Sequence, residues 1–403
     1  MRWLRGWAVA VAAALMPVCG ASAQVSDGVV RIGVLNDMAG LFADLAGPGS
    51  VEAARIAVAD FGGAVLGRPI EVVGGDHQNR PDVGSALVRR WYDVDRVDVV
   101  MDIPNSGVAL AVQQVARERR RLVIYSSAAV SDLTGRACSP YGIHWTFDSY
   151  ALAASTANAV LRRGGDSWYF LTVDYALGHT FERDTGAVVR EGGGRIVGGV
   201  RHPLNTPDFS SFLLQAQASR ARVLAFANAG GDLSNAIKQA ASFGLFRSMM
   251  PVAIMAFLTD IHALGLQDAQ GLLLTESFYW DMNEEARAFS RRFLERVRRM
   301  PTMPQAGVYT ATLHYLRAIQ AAGTDDADAV AAKMRELPIN DFMTREGRIR
   351  EDGRVLRDFY LFEVKKPSES TGPWDYYRLV ATVPAEQAAR PLANSDCPLG
   401  RRN

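Results

Sequence analysis

Ser106 and the run Ser127-Ala128-Ala129 are the residues whose types and spacing most readily suggest chemistry. Each follows an apolar run and precedes a segment of helical periodicity. Hydroxyls and backbone N–H groups therefore gather where a strand hands over to a helix. Such a terminus favours an anion, a carboxylate above all, because unpaired N–H groups and the helix dipole point at it. The same residues would serve equally to cap the helices they precede, and residue type alone leaves both readings open. Nucleophilic and metal chemistry find no comparable foothold. The sequence contains no G-x-S-x-G, no G-x-x-x-x-G-K-[ST] and no H-E-x-x-H. The six histidines are scattered, with no pair at i, i+4. Gly192-Gly193-Gly194 does not follow a strand and reads as a turn after a helix. No catalytic residue, metal or cofactor is assigned, and the protein is not expected to be an enzyme.

The elements that would position these residues alternate between strand and helix. Apolar runs predict strands at Val29–Asn36, Pro69–Gly74, Val97–Ile103 and Leu122–Ser126. Helical spacing predicts Val51–Phe61, Pro81–Asp93 and Val108–Arg119 between them, the second opened by Pro and Asp. The pattern restarts with a helix at Tyr150–Arg163 and strands at Ser167–Val173, Arg195–Arg201, Val223–Asn228, Val252–Met255 and Gly271–Thr275. Helices at His179–Glu191, Phe209–Ser219 and Leu233–Phe243 separate the first four of these strands. Helices at Glu284–Arg299, Gln305–Ala322 and Ala327–Leu337 follow, and Phe359–Val364 with Trp374–Val380 reads as a terminal strand pair. Strands alternating with helices mean βαβ units and a mostly parallel sheet, here twice in series. Ligands of open α/β sheets bind outside the carboxyl ends of the strands. The loops that matter are therefore Asn36–Leu45, Pro104–Gly107, Ser126–Val130, Asp174–Gly178 and Asn228–Asp232.

The chain has 403 residues, with 44 basic and 43 acidic side chains and a formal net charge of +1. Concentrated Lys and Arg, which phosphate backbones require, is absent, so no nucleic-acid partner is expected. Met1 to Ala23 has the form of an export signal. Arg2 and Arg5 precede the apolar run Ala8–Leu15, and Ala21-Ser22-Ala23 supplies an A-x-A cleavage site. The run is too short to span a bilayer. Cleavage after Ala23 is expected to release a periplasmic chain; lipidation at Cys19, disfavoured by Val18 before it, stays open. Cleavage leaves Cys138 and Cys397, which an oxidising compartment would join as a disulfide.

The opening VRIGVLNDMAGLFADLAGPGSVEAARIAVADFGG, the loop SSAAVSDLTG, the segment DYALGHTFERD and the stretch GGDLSNAIKQAASFG together resemble the periplasmic solute-binding proteins of ABC transporters. The resemblance is to the leucine/isoleucine/valine-binding type and covers roughly 28–385. It implies an α/β fold of two lobes, each a mostly parallel sheet flanked by helices, joined by three crossovers near 147–149, 275–277 and 338–341. Lobe 1 would take 28–147 plus 277–338, and lobe 2 149–275 plus 340–383. The tail, 384–403, would pack back on lobe 1. A small-molecule ligand would lie between the lobes and be delivered to the permease subunits of the transporter, the receptor being expected as a monomer. Residues matching the family pattern as ligand contacts are Phe42, Asn105, Ser106, Ser127, Ala128 and Ala129 in lobe 1. Tyr175 and Asn228 stand on the facing loops of lobe 2. Several departures bear on the ligand. A Thr hydroxyl of the family becomes Val130, a Tyr becomes Leu177, and no acid for an ammonium group is evident near Ala256–Thr259. With Tyr150 and Tyr279 flanking the crossovers, the sequence resembles the branch that takes up aromatic acids. An aromatic or other hydrophobic carboxylate is the expected ligand; a branched-chain amino acid, a small amide, or ligand presentation to a membrane sensor are the alternatives.

Overall fold

The computed structural model describes residues 25–401, so the expected export signal and its cleavage point lie outside the described residues. The first lobe is built from β1 (Val30–Asn36), α1 (Gly47–Phe61), β2 (Ala64–Val65), β3 (Arg68–Asp76), α2 (Pro81–Asp93), β4 (Val99–Asp102), α3 (Ser106–Arg119), β5 (Leu122–Tyr125) and β6 (Gly142–His144). Its sheet runs β2-β3-β1-β4-β5-β6, with every pairing parallel except β2–β3. β4 and β5 are buried along their whole length. Continuous apolar runs of this kind are what a sheet covered on both faces demands. Gly33 and Gly75 are fixed by the same packing, because a Cβ at either would stand 2.6 Å from the Trp91 ring.

The chain then crosses to the second lobe through α4 (Ser149–Arg162). There follow β7 (Ser167–Val173), α5 (Ala176–Glu191), β8 (Arg195–His202), α6 (Ser210–Ala218), β9 (Val223–Ala227), α7 (Gly230–Ser242), β10 (Met250–Ala253), α8 (Leu258–Leu264), α9 (Leu266–Ala269) and β11 (Leu273–Glu276). It returns with α10 (Glu284–Val297), α11 (Met303–Ala322) and α12 (Ala327–Glu336); α10 and α11 lie against α1, and α12 against α11. The third passage carries a small hairpin, β12 (Arg348–Ile349) with β13 (Val355–Leu356), then β14 (Phe359–Val364), β15 (Tyr377–Val383) and α13 (Ala385–Ala388). The second sheet runs β15-β14-β11-β10-β9-β7-β8, parallel except for the two pairings of β14. One core cluster is continuous from Val30 and Ile32 in the first sheet through Trp145 and Phe147 to Trp168 and Phe170 in the second.

Several expectations need correction. α1 begins at Gly47, with Pro48 in its first turn, and not at Val51. The last strand is Tyr377–Val383, because Trp374 turns the chain with a φ of 71°. β6, α8, α9 and the β12–β13 hairpin were too short to carry a periodic signal. The tail does not pack on the first lobe alone. α13 lies on α4, and only farther on does Cys397 reach the first lobe, where it is disulfide-bonded to Cys138 with their Cα atoms 5.6 Å apart.

Candidate functional site

A cavity of about 1070 Å³ lies between the lobes, at the carboxyl ends of both parallel sheets. The loop after β1 is shaped by Asp37, whose carboxylate accepts from the backbone N–H groups of Gly40 (2.8 Å) and Phe42 (2.9 Å) and from Asn79 Nδ2 (2.6 Å). Burial alone would raise the Asp37 pKa, but these hydrogen bonds hold it below the ordinary carboxylate value. The loop presents Leu41 and Phe42 to the cavity. At the mouth the lobes come close: a Cβ on Gly230 would stand 3.6 Å from Leu41 Cδ1.

The loop after β4 is strained. Asp102 and Ile103 have φ values of 85° and 63°, in the left-handed region that a β-branched residue rarely enters. The fully buried Asp102 carboxylate accepts from Asn36 Nδ2 at 2.7 Å and from Ser127 Oγ. Burial pushes its pKa up. The Ser127 hydroxyl is thus committed to a buried carboxylate within the protein, although Ser127 lines the cavity. Asn105 caps α3, its Oδ1 accepting from Gly107 N (2.9 Å) and Val108 N (3.1 Å). Ser106 opens α3 and lines the cavity with Asn105.

Phe42, Asn105, Ser106, Ser127, Ala129 and Tyr175 are brought together on the cavity wall. The other four expected contacts stand elsewhere. Ala128 is fully buried behind the wall, its carbonyl 2.8 Å from His144 Nε2. Tyr150 turns beneath the Arg390 guanidinium, 4.8 Å from its ring centroid. Asn228 is buried with its Nδ2 3.1 Å from His202 Nε2. Tyr279 packs against the second lobe's terminal strands, and its hydroxyl donates to the Trp374 carbonyl (3.0 Å) and accepts from Tyr376 N (3.1 Å). Tyr150, Asn228 and Tyr279 each meet a partner within the protein, and Ala128 is simply buried.

Other residues take their places. Phe147 and Phe257 both line the cavity with ring centroids 5.5 Å apart, and Leu177 and Met255 extend the apolar wall. Asp260 also lines it. Its carboxylate accepts from Phe257 N at 2.9 Å, and burial pushes its pKa up to about 6. The hinge and tail contribute Asp148, Ser149, Arg350, Arg354 and Arg390. No periodic pattern marks the hinge residues, which face the cavity only because the chain crosses there. Among the described residues no group of three or more His, Cys, Asp or Glu could hold a metal ion.

Two α/β lobes with a cavity at facing strand ends make a receptor architecture, and the sequence pattern of the periplasmic binding proteins matches residues 29–372. The chain belongs to the periplasmic binding protein family. The family is one of solute receptors that deliver small molecules to membrane permeases, and not one of enzymes. A periplasmic binding protein from Burkholderia mallei is 47% identical, with 92% of this chain and 99% of that chain covered and a TM-score of 0.85. A branched-chain amino acid ABC transporter periplasmic ligand-binding protein from Burkholderia xenovorans LB400 is 39% identical over 92% and 100% of the two chains, with a TM-score of 0.89. The Leu/Ile/Val-binding protein homolog 6 of Brucella abortus is 26% identical over 367 residues, 87% of this chain and 91% of the relative. At 20% identity and a TM-score of 0.77, an ABC transporter solute binding protein from R. palustris solved in complex with benzoate shares the fold, with 89% and 97% of the chains covered. This periplasmic binding protein contains, among its described residues, no helix long and apolar enough to cross a membrane.

Proposed function

We propose that the protein is an extracytoplasmic receptor for a small aromatic or hydrophobic carboxylate, which it binds between its lobes and hands to an ABC importer. The observation that carries this reading is the Phe147–Phe257 pair on a cavity wall that also holds Phe42 and Leu177. Aromatic walls favour a flat apolar body by about 0.5–1.5 kcal/mol per ring pair beyond area burial. The start of α3 and the basic hinge residues suit its negative end. Ligand contact with both lobes would stabilise the closed form by its differential affinity. Met1–Ala23 would act as the export signal, so the exported chain should begin at Gln24 by mass spectrometry; a diacylglyceryl adduct on Cys19 would replace this with an anchored form.

Asp260 favours a second reading, an amino acid whose ammonium group meets this carboxylate. The two readings separate in a thermal-shift titration of the chain 24–403 with benzoate and with leucine. Ligand at about 100 times Kd adds about 2.7 kcal/mol of stability. A shift with benzoate and none with leucine is expected. A shift with leucine alone would replace the aromatic-acid reading by the amino-acid one.

A further inference from the structure

Two polar side chains on the cavity wall at the hinge are almost fully buried and have unpartnered atoms. Ser149 is 1% exposed with no partner for Oγ, and Arg354 is 2% exposed with none for Nε or Nη1. Both adjoin Asp148, but Arg354 Nε stands 3.9 Å from its Oδ2, an ion pair too long for a hydrogen bond. A buried donor without an acceptor is costly, the more so when charged, so such groups call for a function. Arg354 is held rigidly. Its backbone N donates to Asp352 Oδ1 (3.1 Å) and its Nη2 to the Thr146 carbonyl (2.8 Å). Ser149 opens the 14-residue helix α4, whose terminus favours negative charge. Arg183, Arg350, Arg354 and Arg390 stand at the hinge end of the cavity with Asp148, Asp184, Asp352 and Asp396. Phe147 stands two residues before Ser149, so an acid bound here would lay its apolar body along the Phe147–Phe257 wall.

We infer that the ligand's carboxylate is held at the hinge by Ser149 Oγ and the Arg354 guanidinium, and not by the Ser127 hydroxyl, which is already bound to Asp102. The inference rests on the acid-receptor reading above and names the residues that would make it selective. It also couples binding to the hinge, because Ser149 follows the first crossover and Arg354 lies in the third.

The test compares benzoate with its neutral isostere benzamide by calorimetric titration of the native chain, Ser149→Ala and Arg354→Lys, with circular dichroism and melting to verify folding. Native protein should prefer benzoate. Arg354→Lys should lose about tenfold or more in benzoate affinity, about 1.4 kcal/mol or more, and Ser149→Ala about fivefold, about 1 kcal/mol, while benzamide binding changes little. If Arg354→Lys does not fold, Ser149→Ala alone decides. Benzoate affinity within about twofold of native in the folded variants would overturn the anchor and leave the receptor reading standing. Equal losses for benzoate and benzamide would overturn it too. A native chain that binds leucine and not benzoate would remove the aromatic-acid reading alone; leucine and leucinamide then replace the probes, with the same outcomes. A native chain that binds neither acid overturns both.

Discussion

Asp102 and Ser127 join the ends of β4 and β5 from within the protein, so the Ser127 hydroxyl supports the cleft wall without reaching into the cavity. Ser127→Ala should therefore lower unfolding stability by about 1–3 kcal/mol in urea titration, because a buried carboxylate oxygen loses its donor. Weaker ligand binding with unchanged stability would show instead that the hydroxyl touches the ligand. Asp98 makes a different residue-scale prediction. It is buried just before β4, accepts from Arg31 N at 2.8 Å, and burial pushes its pKa up to about 7. Its ordinary value is 3.8, so the unfolded chain releases this proton first as pH rises. This group's contribution to stability therefore falls between about pH 4 and pH 7. Asp98→Asn should raise the melting temperature relative to the native chain by an increment that grows from pH 4 to pH 8. A constant increment would refute the assignment.

At the scale of elements, the cleft depends on where helices start. Asn105 fixes the first turn of α3, and Asp148 fixes α4 by accepting from Ala151 N at 2.7 Å. Asn105→Ala should cost about 1 kcal/mol, read by urea unfolding, through loss of the cap. The alternation of strands and helices was legible from the sequence because buried parallel strands are unbroken apolar runs and the helices between them keep a 3.6-residue period. Asn105 is also among the residues the sequence reading expects at the ligand, whereas its side chain in the structure caps α3. The short elements β6, β12, β13 and α8 escaped, since their placement comes from tertiary contacts and no unbroken apolar run marks them. β6 is fixed by pairing with β5 and by the bridge from His144 to Arg354, which no local pattern announces.

Across the whole molecule the tail is a strap between lobes. α13 rests on α4, Arg390 stands 4.0 Å from Asp184 on α5, and Cys397 is bonded to Cys138 in the first lobe. The denatured, unreduced chain from 24 onward should contain no reactive thiol; two would refute the bridge. Replacing both cysteines by serine should cost about 2–5 kcal/mol of unfolding stability. It should also free the tail whose Arg390 covers Tyr150, which hydrogen exchange across 385–397 would register.

The sequence by itself determined the α/β class, the two-lobed receptor fold and the strand-end loops that form the cleft. The class and the loops follow from periodicity, a local property, and the two-lobed receptor fold is what the resemblance of its ordered segments to a known family implies. It also placed Phe42, Asn105, Ser106, Ser127, Ala129 and Tyr175 on that wall. Only the tertiary structure decided which way each remaining side chain turns. Tyr150, Asn228 and Tyr279 meet partners distant in sequence, whereas Phe147, Ser149 and Arg354 are delivered to the cavity by the crossings between lobes. A buried polar group goes where its partner is, and partners separated by tens to hundreds of residues are set by the fold and not by spacing along the chain.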